Sequence, residues 1–157
     1  MDASGVALVT GRALGSAALP PRRWLGRDIL FLLLCVNPPA ETQKARSDLL
    51  DLAEGVEMAG QIDVLINNAG FAYWGLTEAF SVKQAQEIFE TNFFGAVRMN
   101  RAVLPHMRRR GKGLVIHMSS GAGRGVLPGM ALYTATKFAL EALAEAYRYE
   151  LSQFGVD

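Results

Sequence analysis

Four stretches of the chain are apolar at nearly every position: "GVALVT" (5–10), "ILFLLLCV" (29–36), the middle of "IDVLINNAG" (62–70) and "GLVIHMSS" (113–120). Short uniform apolar runs of this kind fit strands buried on both faces, the pattern of a parallel sheet. Between them the pattern changes to a helical one. "AETQKARSDLLDLAEG" (40–55), rich in Glu, Lys, Ala and Leu, predicts a helix. The stretch from Ser81 to Gly111 predicts one long helix, capped by Ser81, with Arg108, Arg109 and Arg110 at its basic end and Gly111 just beyond. A glycine-rich loop, "GAGRGVLPG" (121–129), precedes a last helix from about Leu132 to Gln153. Strands alternating with helices predict a doubly wound α/β architecture, a parallel sheet with helices on both faces. Ligands in such sheets sit beyond the carboxyl ends of the strands, which singles out Gly11, Asn67 to Gly70 and Ser119 to Gly123.

Composition narrows the reading. With 157 residues, 50% of them hydrophobic, the chain has material for a single domain over 1–157. Sixteen Lys plus Arg against 15 Asp plus Glu leave no field that would draw nucleic acid. The greasiest run, Ile29 to Val36, is far shorter than the ~20 residues of a membrane span and has no signal-peptide placement. The single cysteine, Cys35, excludes an internal disulfide framework and a cysteine-rich zinc site, so a reducing cytoplasmic setting is expected. His106 and His117 read as structural or surface residues rather than ligands.

The chemistry lies in "SSGAGRGVLPGMALYTATK" (119–137). Tyr133 and Lys137, one helical turn apart, leave the same face of the last helix. A tyrosine titrates near about 10 in water, but a neighbouring ammonium stabilises the phenolate and brings the proton into working range. Tyr133 is therefore a candidate acid/base toward an alcohol or ketone. Ser120, at the end of the preceding strand, is placed to hydrogen-bond the same substrate oxygen. Taken alone, a Tyr-x-x-x-Lys pair occurs by chance on many helix faces.

In combination the signal is specific. "VTG" opens the chain, "INNAG" (66–70) ends an upstream strand, "TNFFG" (91–95) follows, and Ser120 stands thirteen residues before Tyr133. Ordered in this way, the residues resemble the short-chain dehydrogenase/reductase family, almost without interruption from Gln61 to Asp157. The resemblance implies a Rossmann-like fold and reversible hydride transfer, without metal, between NADP or NAD and a secondary alcohol or carbonyl compound. It implies Gly11 and Gly15 in the phosphate-binding loop, and Asn68, Ala69 and Gly70 beside the cofactor ribose. Asn92 corresponds to the asparagine that holds a relay water, Ser120 to the catalytic serine, and Tyr133 to the acid/base. Lys137 corresponds to the lysine that lowers the tyrosine's pKa and binds the nicotinamide ribose. A homo-oligomer is expected of an intact member. Phe71, Tyr73, Trp74, Leu127 and Met130 hint at a hydrophobic substrate and equally suit an ordinary core.

Departures from the family pattern are as plain. Where its loop carries a third glycine this chain has Ala17, and Pro20 and Pro21 fall inside the helix whose amino end should meet the pyrophosphate. Codons for residues 11–29, regrouped by one base with free choice of the wobble position, spell Ala-Ser-Ser-Gly-Ile-Gly-Arg followed by an alanine-rich helix. The hypothesis is that residues 12 to about 36 are read out of frame; sequencing codons 11 to 65 decides it, and DNA that stands as given would sink it. The family's third strand, with its adenine-contacting aspartate, also has no counterpart before Gln61, and the chain stops where the family's sixth strand starts. The expectation is thus an incomplete member. Two alternatives stand beside the active oxidoreductase: a catalytically inactive remnant that binds or dimerises, and a nucleotide-binding module without redox function.

Overall fold

The computed structural model describes the backbone of β1 (Gly5–Gly11), β2 (Arg22–Arg23) and β3 (Ile29–Cys35), and residues 62–157 with their side chains. Gly15, the prolines at 20 and 21, and the helix expected over 40–55 lie outside the described residues, as does most of the segment suspected of a frame slip. Two further strands follow, β4 (Val64–Asn67) and β5 (Leu114–His117). The sheet order is β2-β3-β1-β4-β5. β3, β1, β4 and β5 run parallel, with Gly5 opposite Ile29, Val9 opposite Ile66 and Asn67 opposite His117.

One strand departs from the expected all-parallel sheet. Arg22–Arg23 pairs antiparallel with Leu30 and Phe31, supplying partners to backbone groups along that side of β3. An antiparallel edge on a parallel sheet is common. The order also fixes where a ligand belongs. From β1 the chain goes to β3 on one side and then returns to β4 on the other, so the topological switch point lies between the carboxyl ends of β1 and β4.

Three α-helices follow β4. α1 (Val82–Phe89) starts with the capping box its sequence predicts: Ser81 Oγ accepts from the Gln84 amide while the Ser81 amide donates to Gln84 Oε1. The single long helix expected over 81–110 is interrupted. Residues Glu90–Phe94 form a π-helical turn, in which the Gly95 amide reaches back to the Glu90 carbonyl, and α2 (Gly95–Arg110) continues beyond it. Arg98 grips this turn from outside, with Nη1 on Glu90 Oε1 at 2.5 Å and Nη2 on the Glu90 carbonyl at 3.1 Å. α2 ends as expected, with three arginines in its last turn and Gly111 left-handed at φ 66°. α3 (Ala131–Leu151) runs into a 3₁₀ turn, Ser152–Phe154.

The core joins β4 and β5 to α2 and the end of α3. Ile62, Leu65, Met99, Val103, Leu104, Met107, Leu151 and Val156 are buried together, with Tyr147 and Phe154 against them. Each such side chain contributes about 1.5–3 kcal/mol by leaving water. Gly155, left-handed at φ 67°, lies against the Gly111 carbonyl, where a Cβ would collide with the oxygen. That close approach brings Val156 into a parallel bridge with Gly113, and the Val115 amide donates to the Asp157 carbonyl at 2.6 Å.

A polar cluster spans the carboxyl ends of β4 and β5. Asn67 Nδ2 donates to Asn100 Oδ1 at 2.9 Å, both amides stand 3.4 Å from a ring nitrogen of His117, and that ring stacks on Tyr147. Burial lowers the His117 pKa from 6.5 to about 4. Protonation therefore favours the unfolded chain. This histidine's contribution is fully present above pH 6.5 and falls as the pH drops toward 4, by about 3 kcal/mol in total. Urea titrations across that window should show the loss, and His117→Asn should remove that part of the slope; an unchanged slope would contradict the assignment.

Candidate active site

Gly11 ends β1, Asn67 ends β4 and His117 ends β5, so the loops beyond them share one edge of the sheet. After β4 the chain runs through Asn68, Ala69 and Gly70. Asn68 and Gly70 are exposed along this edge, whereas Ala69 is half-buried. A Cβ on Gly70 would lie 3.3 Å from Asn92 Oδ1 and 3.9 Å from Lys137 Nζ. The glycine of "INNAG", the asparagine of "TNFFG" and the lysine of "YTATK" therefore converge, although far apart in sequence.

Each is held by identifiable bonds. Asn92, on the π turn and 2% exposed, accepts from the Phe71 amide at 2.9 Å and donates to the Phe71 carbonyl at 2.8 Å and to Thr136 Oγ1 at 3.1 Å. Its side chain thus fastens the loop after β4 to α3. Lys137, 5% exposed, donates to the Met118 carbonyl at 2.6 Å, which ties α3 to the end of β5. Burial of its ammonium lowers its pKa. Its Nζ lies 5.6 Å from the centre of the half-buried Tyr133 ring, as the four-residue spacing predicts.

Ser120 enters from the loop after β5. It caps a 3₁₀ turn, Gly121–Gly123, its Oγ accepting from the Ala122 amide at 3.2 Å. That turn packs on α3: Arg124 pairs with Glu141 at 2.7 Å, and a Cβ on Gly123 would press on Ser119 Oγ and Glu141 Cγ. Ser120 is thereby held beside the helix that carries Tyr133 and Lys137. Thr136 and the Met118 carbonyl are the contributors that the sequence reading missed. A backbone carbonyl leaves no mark in a sequence, and a threonine inside a helix gives no sign of where its hydroxyl points.

Two loops flank these groups. The Gly75 amide donates to the Gly129 carbonyl at 2.9 Å, and the Trp74 indole lies against Gly129, left-handed at φ 77°. Phe71, Tyr73 and Phe80 form a half-buried aromatic cluster, which the Tyr73 hydroxyl anchors by donating to Glu87 at 3.0 Å. Trp74, Leu76 and Val126 are each at least 70% exposed, and Leu127 is 48% exposed. Of the aromatic and apolar residues singled out from the sequence, Phe71 and Tyr73 are packed and Trp74 and Leu127 stand open, with Met130 half-buried at the start of α3. Between 68 and 76 there is no charged residue, and between 118 and 130 only Arg124, which pairs with Glu141 at 2.7 Å.

Among known proteins, human retinol dehydrogenase 8 is 44% identical over 97 residues, which is 62% of this chain and 31% of that enzyme. A 3-ketodihydrosphingosine reductase of Bacteroides thetaiotaomicron is 30% identical over 161 aligned positions, covering 96% of this chain and 60% of its own length. The crystal structure of a gluconate 5-dehydrogenase from Burkholderia cenocepacia, in complex with NADP and tartrate, superposes with a TM-score of 0.70 at 26% identity over 84% of this chain and 49% of that one. The chain thus spans from under a third to three fifths of the length of these proteins. The family model described as short chain dehydrogenase matches residues 33–157, and with the convergence of Gly70, Asn92, Tyr133 and Lys137 this makes the chain a member of the short-chain dehydrogenase family.

Proposed function

We propose that the chain is a single NAD(P)-binding domain, 1–157, of an oxidoreductase that exchanges a hydride between NADP or NAD and a secondary alcohol or carbonyl compound with an apolar body. The supporting observation is the cluster itself: Lys137 Nζ beside the Tyr133 ring and within reach of Gly70, at the carboxyl edge of the sheet. In this reading Tyr133 gives its phenolic proton to the carbonyl oxygen in reduction and takes it back in oxidation. The Lys137 ammonium stabilises the negative charge that develops on the phenol oxygen. Ser120 Oγ already accepts from Ala122, so its own hydrogen is left to bind the substrate oxygen.

The residues present fit a nicotinamide cofactor. Asn68 and Gly70 are exposed at the switch point, and Lys137 spends one of its three hydrogens on Met118, leaving two for ribose hydroxyls. Gly11 stands at the end of β1, where a diphosphate would approach. When bound, the cofactor supplies or accepts the hydride. NADP is the first choice to try, since the similar gluconate 5-dehydrogenase carries it.

The substrate class is argued from the flanking loops. They bring Trp74, Leu76, Val126 and Leu127 to the surface and offer no unpaired charge to hold a carboxylate or phosphate. The names of the retinol dehydrogenase and the ketodihydrosphingosine reductase point the same way. Reduced-nicotinamide absorbance, followed with a long-chain ketone, an aryl ketone and a sugar acid, tests the reading. Turnover of the apolar ketones is expected to exceed that of the sugar acid by about tenfold or more in kcat/KM. Absence of both cofactor binding and turnover would overturn the proposal, and preference for the sugar acid would overturn its substrate class.

A further inference from the structure

We propose that Thr136 is a positioning residue, whose buried hydroxyl couples the loop after β4 to the helical turn carrying the acid/base; this rests on the oxidoreductase reading above. Thr136 is fully buried, at 0% exposure. Its Oγ1 donates to the Tyr133 carbonyl at 2.7 Å and accepts from Asn92 Nδ2 at 3.1 Å. The other hydrogen of that amide goes to the Phe71 carbonyl, and Asn92 Oδ1 takes the Phe71 amide. A continuous path therefore runs from Phe71 through Asn92 and Thr136 to the backbone of Tyr133.

This path does more than fill a buried space. A threonine hydroxyl bonded back to the carbonyl three residues earlier gives that carbonyl a second donor and ties the side chain to its own helix turn. Here the carbonyl belongs to Tyr133, in the first turn of α3. The far end of the path is Phe71, which directly follows Gly70, the residue over which Asn92 and Lys137 meet. Without the hydroxyl, Asn92 loses an acceptor at one end and the Tyr133 turn loses its restraint at the other. The phenol is then free to shift against the loop by a fraction of an ångström. Displacements of about 1 Å are enough to cost on the order of 10²-fold in rate.

Thr136→Val keeps the β-branched shape and removes the hydroxyl, whereas Thr136→Ser keeps the hydroxyl and removes a methyl. Two readouts on the full chain are combined: the pH dependence of kcat for ketone reduction, and the exchange rate of the Phe71 amide by NMR. For Thr136→Val the expected result is a fall in kcat of about tenfold or more, a displaced pH midpoint, a KM near the parent's and faster exchange at Phe71. Thr136→Ser should restore all of these. If the parent turns over ketone but Thr136→Val leaves the pH midpoint and Phe71 exchange unchanged, the coupling is wrong and the oxidoreductase reading stands. If the parent shows no turnover, that reading falls, and Phe71 exchange decides the coupling: faster in the valine variant and restored in the serine variant supports it, unchanged overturns it. Equal loss in both variants also overturns it, because a methyl would then matter as much as the hydroxyl.

Discussion

Replacing Tyr133 with phenylalanine is expected to reduce ketone turnover by about 10²–10⁴-fold, the range supplied by a positioned general acid or base. The change removes one oxygen and nothing else. Among the described residues the Tyr133 hydroxyl makes no hydrogen bond, so its loss leaves no orphaned partner and the melting temperature should hardly move. The ring remains beside Lys137, which keeps its bond to the Met118 carbonyl. NADPH binding, followed by fluorescence titration, should therefore survive. A folded variant that binds cofactor and does not turn over assigns the proton transfer to this oxygen. Undiminished turnover would remove Tyr133 from the chemistry.

Asn92→Leu is expected to have the largest effect on stability. Leucine nearly matches the volume and makes none of the three bonds, so the Phe71 amide and carbonyl lose the bonds that Asn92 makes to them and Thr136 loses a donor. Each lost hydrogen bond costs about 0.5–1.5 kcal/mol net, for a total of about 2–4 kcal/mol. For a chain of this size that is a drop in Tm on the order of 10 °C, measurable by circular dichroism. Turnover should fall with it, since the loop bearing Gly70 is no longer fastened to α3. A melting temperature within a degree or two of the parent's would mean that water replaces the asparagine at Phe71.

How much of this was legible in the sequence varies with the kind of signal. β1, β3, β4 and β5 were visible because short, uniformly apolar runs mark the strands of a parallel sheet, and the start of α1 was visible because Ser81 and Gln84 spell a capping box. The convergence of Tyr133 with Lys137 followed from helical spacing alone. The π turn could not be seen in this way. Buried positions run straight through it, at Thr91, Asn92, Gly95, Ala96 and Met99, and neither proline nor glycine falls within Glu90–Phe94 to mark a break. What changes is a backbone bond, Gly95 to Glu90, which the pattern of side chains does not encode. The same holds for the Lys137 anchor, a carbonyl at Met118, and for Thr136, whose rotamer decides which two groups it joins. Arg22–Arg23 was missed because an edge pairing of two residues has no periodicity to read.

The Glu90–Phe94 turn also bears on how the chain tolerates changes in length. Five residues of a π turn sweep about the angle that four sweep in an α-helix, so deleting one residue there would restore the ordinary ladder and leave the faces of α1 and α2 nearly where they are. Asn92, inside the turn, would lose its aim at Phe71. Arg98 holds both the carboxylate and the carbonyl of Glu90, and so keeps the extra residue in place from outside. A change of one residue here therefore acts on the site and not on the rest of the helix, because the residue count within the turn aims Asn92 at Phe71.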